Sequence, residues 1–211
     1  MKHSVTVGLV VLGIFGTSWV GCSSSDDSGG ASSCSDFSAC GGTPEGTWSL
    51  KDLCATGVEE AVTADLPPEC ANVLQSYSVS GSGSATLNAD GSGEVNFSVT
   101  TSMSLSVDSA CAGAQQNNPN FTMSAIACGL VEAGLGAGEG AAAQCDYVDG
   151  VCNCDVTSVQ PNVESGTWSV TGTQLTWNTQ EPQDFCEKGG TLTTQKTDDS
   201  GVVTTLVWQR Q

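Results

Sequence analysis

The chain has 211 residues, with 5 basic against 23 acidic side chains and a formal net charge of −18. So acidic a chain repels nucleic acid and anionic lipid headgroups, and its single histidine, His3, supplies no imidazole beyond the extreme N-terminus for a Ser-His or Cys-His mechanism. Its 11 cysteines point to an oxidising compartment.

In chain order, Met1-Lys2-His3 puts positive charge ahead of an apolar run from Val5 to Val20 that is short and Gly-rich for a membrane span. Residues 1–21 are expected to be a cleaved export signal. The junction Trp19-Val20-Gly21-Cys22 resembles the lipobox of bacterial lipoproteins, in which the cysteine takes the lipid and becomes the new N-terminus. The resemblance implies lipidation of Cys22 and membrane attachment through that lipid; the alternative is a soluble secreted protein with Cys22 as a plain thiol. Ser23 after the cysteine, rather than Asp, resembles the signal for sorting to the outer membrane, on its periplasmic face or at the cell surface. Polar, Gly/Ser-rich residues 22–33 read as a flexible tether, and residues 34–211 as one domain. Removing Lys2 with the signal leaves 4 basic residues against 23 acidic, a formal net of about −19. Membrane residence would then rest on the lipid and not on a basic patch.

Gly46-Thr47-Trp48-Ser49-Leu50 passes from a turn into a strand ending near Cys54, and a short helix is expected around Glu59 to Ala64, stopped by Pro67-Pro68. From Tyr77 the side chains alternate. Tyr77, Val79, Gly81, Gly83, Ala85 and Leu87 mark one face, with hydroxyl residues between them. Asn88-Ala89-Asp90-Gly91 supplies a hairpin turn, Val95, Phe97 and Val99 continue the pattern, and Met103, Leu105 and Val107 read as the third strand of a meander. Gln115 to Asn120 is turn-rich. Ile126, Leu130, Val131 and Leu135 fall near helical spacing, and Ala141-Ala142-Ala143 reads as loop. Strands are expected at Val151 to Val159, Thr167 to Thr171, Thr173 to Asn178, Thr191 to Lys196 and Val202 to Trp208. The total is about nine, near the eight that close a small antiparallel up-and-down barrel. The expected class is all-β with one or two short helices.

Giving Cys22 to lipid leaves Cys34, Cys40, Cys54, Cys70, Cys111, Cys128, Cys145, Cys152, Cys154 and Cys186, an even set able to pair completely. Connectivity is open, since ten cysteines allow about 945 pairings. Cys152 and Cys154 share one face of a strand and should reach different partners; their spacing is also wrong for a Cys-x2-Cys zinc site.

Gly46-Thr47-Trp48 resembles the Gly-x-Trp signature of lipocalins and the wider calycin barrels. Cys40-Gly41-Gly42, the hairpin, Cys152-Asn153-Cys154, the run from Gly166 to Thr176 and the run from Phe185 to Thr193 are similar to cysteine-rich, lipocalin-like lipoproteins of myxobacteria. The resemblance implies a lipocalin-like barrel holding side chains or one small ligand. It also implies an arginine packed across the opening tryptophan; the only arginine, Arg210, is the candidate to lie over Trp48.

No catalytic, metal or cofactor set emerges. Lys51, Lys188 and Lys196 read as solvated, as do the acidic pairs Glu59-Glu60 and Asp198-Asp199. Asn88, Asp90 and Glu94, and likewise Asp146, Asp149 and Gly150, imitate calcium loops without the full ligand spacing. Two function classes fit: a carrier of a small apolar ligand, and a non-catalytic surface protein with a filled barrel. For the carrier, Trp48, Tyr77, Gly83, Phe97, Trp168 and Trp177 are the expected lining, with Trp208 nearby. Gly81, Gly83 and Ala85 on the inward face are expected to leave room there.

Overall fold

The computed structural model describes residues 37–64 and 66–211; the expected signal, Cys22, Cys34 and the tether lie outside them. At the Asn88–Gly91 turn, Gly91 takes φ +81° and its N–H reaches Asn88 O at 3.0 Å. The Asp90 carboxylate accepts from Ser92 Oγ at 2.6 Å and from Ser92 N–H at 2.9 Å. Those two hydrogen bonds, the hydroxyl's first, hold the Asp90 pKa below its ordinary value. The turn joins β2 (Leu74–Leu87) to β3 (Ser92–Val107), paired antiparallel from Leu87↔Gly93 to Leu74↔Leu105.

The expected third strand of the meander is therefore the second half of β3. Thr100-Thr101-Ser102 favours extended backbone and holds no Gly, Pro, Asn or Asp, and the apolar phase through Val95, Phe97, Val99, Met103 and Leu105 never slips. The same correction applies to Val151–Val159 and Thr167–Thr171, which belong to one strand, β5 (Val151–Thr171), paired with β3 from Val107↔Cys152 to Ser92↔Thr167. Pro161 does not break it. Opposite Ser98, it lies where neither flanking strand covers the other side of β5, a position that needs no N–H.

β1 (Gly46–Thr56), β6 (Gln174–Trp177), β7 (Gln183–Lys188), β8 (Thr191–Thr197) and β9 (Val203–Arg210) complete an antiparallel ring of 8 strands in the order β1-β2-β3-β5-β6-β7-β8-β9, with β9 returning to β1. The fold is an all-β, disulfide-bonded up-and-down barrel. Within β1 a bulge between Leu50 and Asp52 shifts the inward phase from Trp48 and Leu50 to Leu53 and Ala55. A ninth strand, β4 (Ala141–Val148), flanks β5 outside the ring. Read as loop from its alanine run, β4 is held by a two-residue turn at Asp149-Gly150, with φ +51° and +86°, that folds it onto β5.

Among the described residues there are three α-helices, more than the one or two expected: α1 (Val58–Thr63), α2 (Ser109–Gln115) and α3 (Ala125–Leu135), with a 3-10 turn at Pro68–Cys70. Asp108 caps α2, its carboxylate accepting from Cys111 N–H at 2.8 Å, and Ser124 caps α3, its Oγ accepting from Ala127 N–H at 3.2 Å. The inward face of α3 holds half of the expected stripe: Val131 and Leu135 face inward with Cys128, whereas Ile126 and Leu130 are 81% and 59% exposed.

The barrel core gathers Trp48, Ala85, Leu87, Phe97, Phe185, Leu192 and Trp208. Beyond it the far halves of β3 and β5, with β4, carry α2 and α3 over a second core of Ala112, Met123, Cys128, Leu135, Cys152, Cys154 and Val156. Two disulfides sit there, Cys128–Cys152 and Cys145–Cys154, so the two cysteines of one strand face do take different partners. Cys70–Cys111 ties the 3-10 turn to α2, and Cys40–Cys186 ties the segment before β1 to β7. Cys54 is also disulfide-bonded.

Candidate functional site

Inside the ring lies a cavity of about 440 Å³, built from the inward positions of every strand of the ring except β7's central pair. Leu53, Val79, Ala85, Leu87, Val95, Phe97, Val99, Leu175, Trp177, Leu192, Leu206 and Trp208 make it apolar. These residues come from six different strands, and pleat alternation, with the β1 bulge for Leu53, aims them inward. A second hollow of about 300 Å³ lies between the end of β1, α1 and the start of β2, lined by Gly57, Glu59, Gln75, Tyr77 and their neighbours. It is smaller and more polar in its lining, so the barrel interior is the better candidate for binding.

One side of the cavity is polar. Asn162 and Glu164 of β5, Gln180, Glu181 and Gln183 before and at the start of β7, Lys196 of β8 and Asp198, Asp199 and Ser200 of the β8–β9 turn line it. Several are held by their neighbours. Glu164 accepts from Asn178 Nδ2 at 2.6 Å, and Glu181 pairs with Lys196 at 3.3 Å. Asp198 Oδ1 accepts from Ser200 N–H at 2.9 Å, Ser200 Oγ at 2.6 Å and Val202 N–H at 3.0 Å, which locks the turn. Two polar atoms of the lining residues are buried with no hydrogen-bond partner among the described residues: the donor Trp177 Nε1 and the acceptor Asp198 Oδ2.

The expected lining divides. Phe97 and Trp177 line the cavity, as does Trp208. Trp48 does not: it is 0% exposed in the barrel core, its Nε1–H donates to Pro44 O at 2.8 Å, and the Arg210 guanidinium carbon stands 4.3 Å from its ring centroid. Arg210 also donates to Glu45 O at 2.7 Å and pairs with Glu187 at 3.4 Å, so it ties the end of β9 to the start of β1 and to β7. Trp168 packs against the core but spends its Nε1–H on Asn88 O and Ser92 O, at 3.1 and 3.0 Å, bracing the hairpin turn. Tyr77 belongs to a separate cluster with Ala55, Val58 and Val202, beside the smaller hollow.

Gly83 is the clearest correction. It adopts φ +149°, is exposed, and a Cβ there would strike the Asn96 carbonyl oxygen and the Phe97 backbone. Its role is close approach of β3, not space for a ligand. Gly81 leaves no room either, since a Cβ would lie 2.7 Å from Leu50 Cδ2 and 3.1 Å from Leu53 Cδ2, which already occupy the place. The cavity exists for another reason: Ala85 and the valines at 79, 95 and 99 are short for the span they face.

The acidic side of the cavity escapes a reading along the sequence because its members are scattered from Glu164 to Asp199. Asp198-Asp199, read as a solvated pair, is half-buried at its first member and lies at the cavity. The sulfurs of Cys128, Cys145 and Cys152 lie within 4.8 Å of one another, but each is committed to a disulfide. In comparisons with known proteins, no family model matches the chain and no curated protein matches it.

Proposed function

We propose that the protein is a non-catalytic binding module, exported and lipid-anchored at Cys22 to the outer membrane, that takes a small apolar ligand into its barrel. The observation that carries this reading is the apolar cavity of about 440 Å³ inside the ring, within the size range of small-ligand sites. An unpaired donor, Trp177 Nε1, and an unpaired acceptor, Asp198 Oδ2, beside the apolar wall match the way such pockets fix a ligand's orientation. The resemblance of Gly46-Thr47-Trp48 and the Trp48/Arg210 contact to lipocalin-like barrels supports the same reading.

Phenylnaphthylamine, a neutral apolar fluorophore, should brighten on binding the purified domain. Val99→Phe places a ring in the cavity and should weaken that binding by about tenfold or more, while the urea midpoint moves by less than the roughly 1 to 3 kcal/mol typical of overpacking a filled core. A probe that stays dark in the native protein, or binds Val99→Phe unchanged, would refute the carrier reading.

Anchoring has its own test. Cells grown with labelled palmitate should incorporate label into the wild-type chain and not into Cys22→Ala, and the variant should leave the membrane fraction for the soluble one. Label retained by Cys22→Ala would sink the assignment.

A further inference from the structure

We infer that the ligand carries a cationic head on its apolar body, an amine or quaternary ammonium amphiphile, and that fatty carboxylates are excluded. The inference rests on the proposed binding function and adds the ligand's charge to it. The cavity's residues include four carboxylates, those of Glu164, Glu181, Asp198 and Asp199, and one ammonium, that of Lys196, so its lining carries three formal negative charges in excess. Lys196 is already engaged with Glu181 at 3.3 Å. Glu164 is held by neutral amides of Asn178 and Gln180, which orient the carboxylate without cancelling its charge. Asp198 Oδ1 accepts only from neutral donors, and Oδ2 is buried with no partner among the described residues.

A buried carboxylate oxygen without a donor is costly, and a ligand ammonium would supply N–H donors and the opposite charge together. A ligand carboxylate entering the same place would meet like charge next to an apolar wall of low dielectric, where repulsion is screened less than in water. Seated with its chain between Phe97, Leu192, Leu206 and Trp208, an alkylammonium would leave its head at the Asp198-Asp199 turn. The general acidity of the chain concentrates cations near its whole surface, so the test must separate the cavity's own carboxylates from that background.

Decylamine, decanol and decanoate share one apolar body and differ in the head. Below their micelle concentrations, each is titrated into the purified domain by isothermal calorimetry, at low and at high salt. The expected order is decylamine tightest, decanol intermediate and decanoate weakest, with about tenfold or more between the charged pair at low salt and a smaller gap at high salt. Glu164→Gln combined with Asp199→Asn should cut the decylamine affinity several-fold and leave decanol unchanged, whereas Glu132→Gln combined with Glu139→Gln, outside the cavity, should change neither. Equal affinities for the three, decanoate tightest, or a preference that follows the Glu132/Glu139 pair would overturn the inference while leaving the binding function standing. If none of the three binds, the binding function falls and this inference with it. Should the double variant misfold, the order of the three heads and its salt dependence in the wild type still decide the question.

Discussion

Reduction with excess dithiothreitol is expected to unfold the domain, seen as loss of near-UV circular dichroism and a red shift of tryptophan emission. The bridges close loops of very different length: Cys40–Cys186 spans 146 residues, Cys70–Cys111 41, Cys128–Cys152 24 and Cys145–Cys154 only 9. On the chain-entropy argument the longest contributes about 5 kcal/mol and the shortest about 2.5 kcal/mol. Nested loops do not add in full, but even part of the sum is comparable to the roughly 5 to 15 kcal/mol by which domains are stable. The second core depends most on its bridges, since Cys128, Cys152 and Cys154 are themselves buried members of it. Non-reducing peptide maps should return the four bridges and show Cys54 oxidised. Parity makes Cys34 its expected partner, with Cys22 left for lipid. Native-like fluorescence with every thiol free would refute the dependence, and a free Cys54 would undo the parity argument.

The elements most legible in the sequence are those whose signals are local. Asn88-Ala89-Asp90-Gly91 names its own turn, and odd-position alternation on both sides fixes the β2–β3 register without reference to anything distant. Errors arose where a local signal had two physical meanings. Pro161 lies in the gap between the expected strands Val151–Val159 and Thr167–Thr171, yet on the single strand β5 it marks a stretch without a strand on its second side. Ile126 and Leu130 have the spacing of a buried stripe, but the Cys128–Cys152 bridge decides which face of α3 turns inward, and they fall on the other. α2 was missed although Asp108 stands at its cap, because the alanines and glycine behind it show no periodicity. The cavity could not be read at all. Its apolar wall is ordinary strand alternation, and its acidic side joins β5 to the β8–β9 turn only after the ring has closed.

Gly83→Ala is expected to cost about 2 to 4 kcal/mol, although it adds a single methyl group to an exposed position. Two terms act together. At φ +149° an L-residue is strained whatever the space around it, and here the Cβ is directed at the Asn96 carbonyl oxygen and the Phe97 backbone, neither of which can swing away as a side chain does. Relief requires β2 and β3 to part next to Phe97, a member of the barrel core. Gly81→Ala is the matched comparison, two residues earlier on the same strand. Its Cβ would meet the mobile ends of Leu50 and Leu53, which can rotate aside, so a loss of about 1 kcal/mol or less is expected. Urea titration of the two variants should therefore separate them clearly, and Gly83→Leu should give little folded protein. Phenylnaphthylamine affinity, measured on the folded fraction of each alanine variant, should change far less than in Val99→Phe, because neither glycine itself lines the cavity. A Gly83→Ala protein with the wild-type midpoint and weakened probe binding would restore that glycine to the ligand site and overturn the packing role assigned to it.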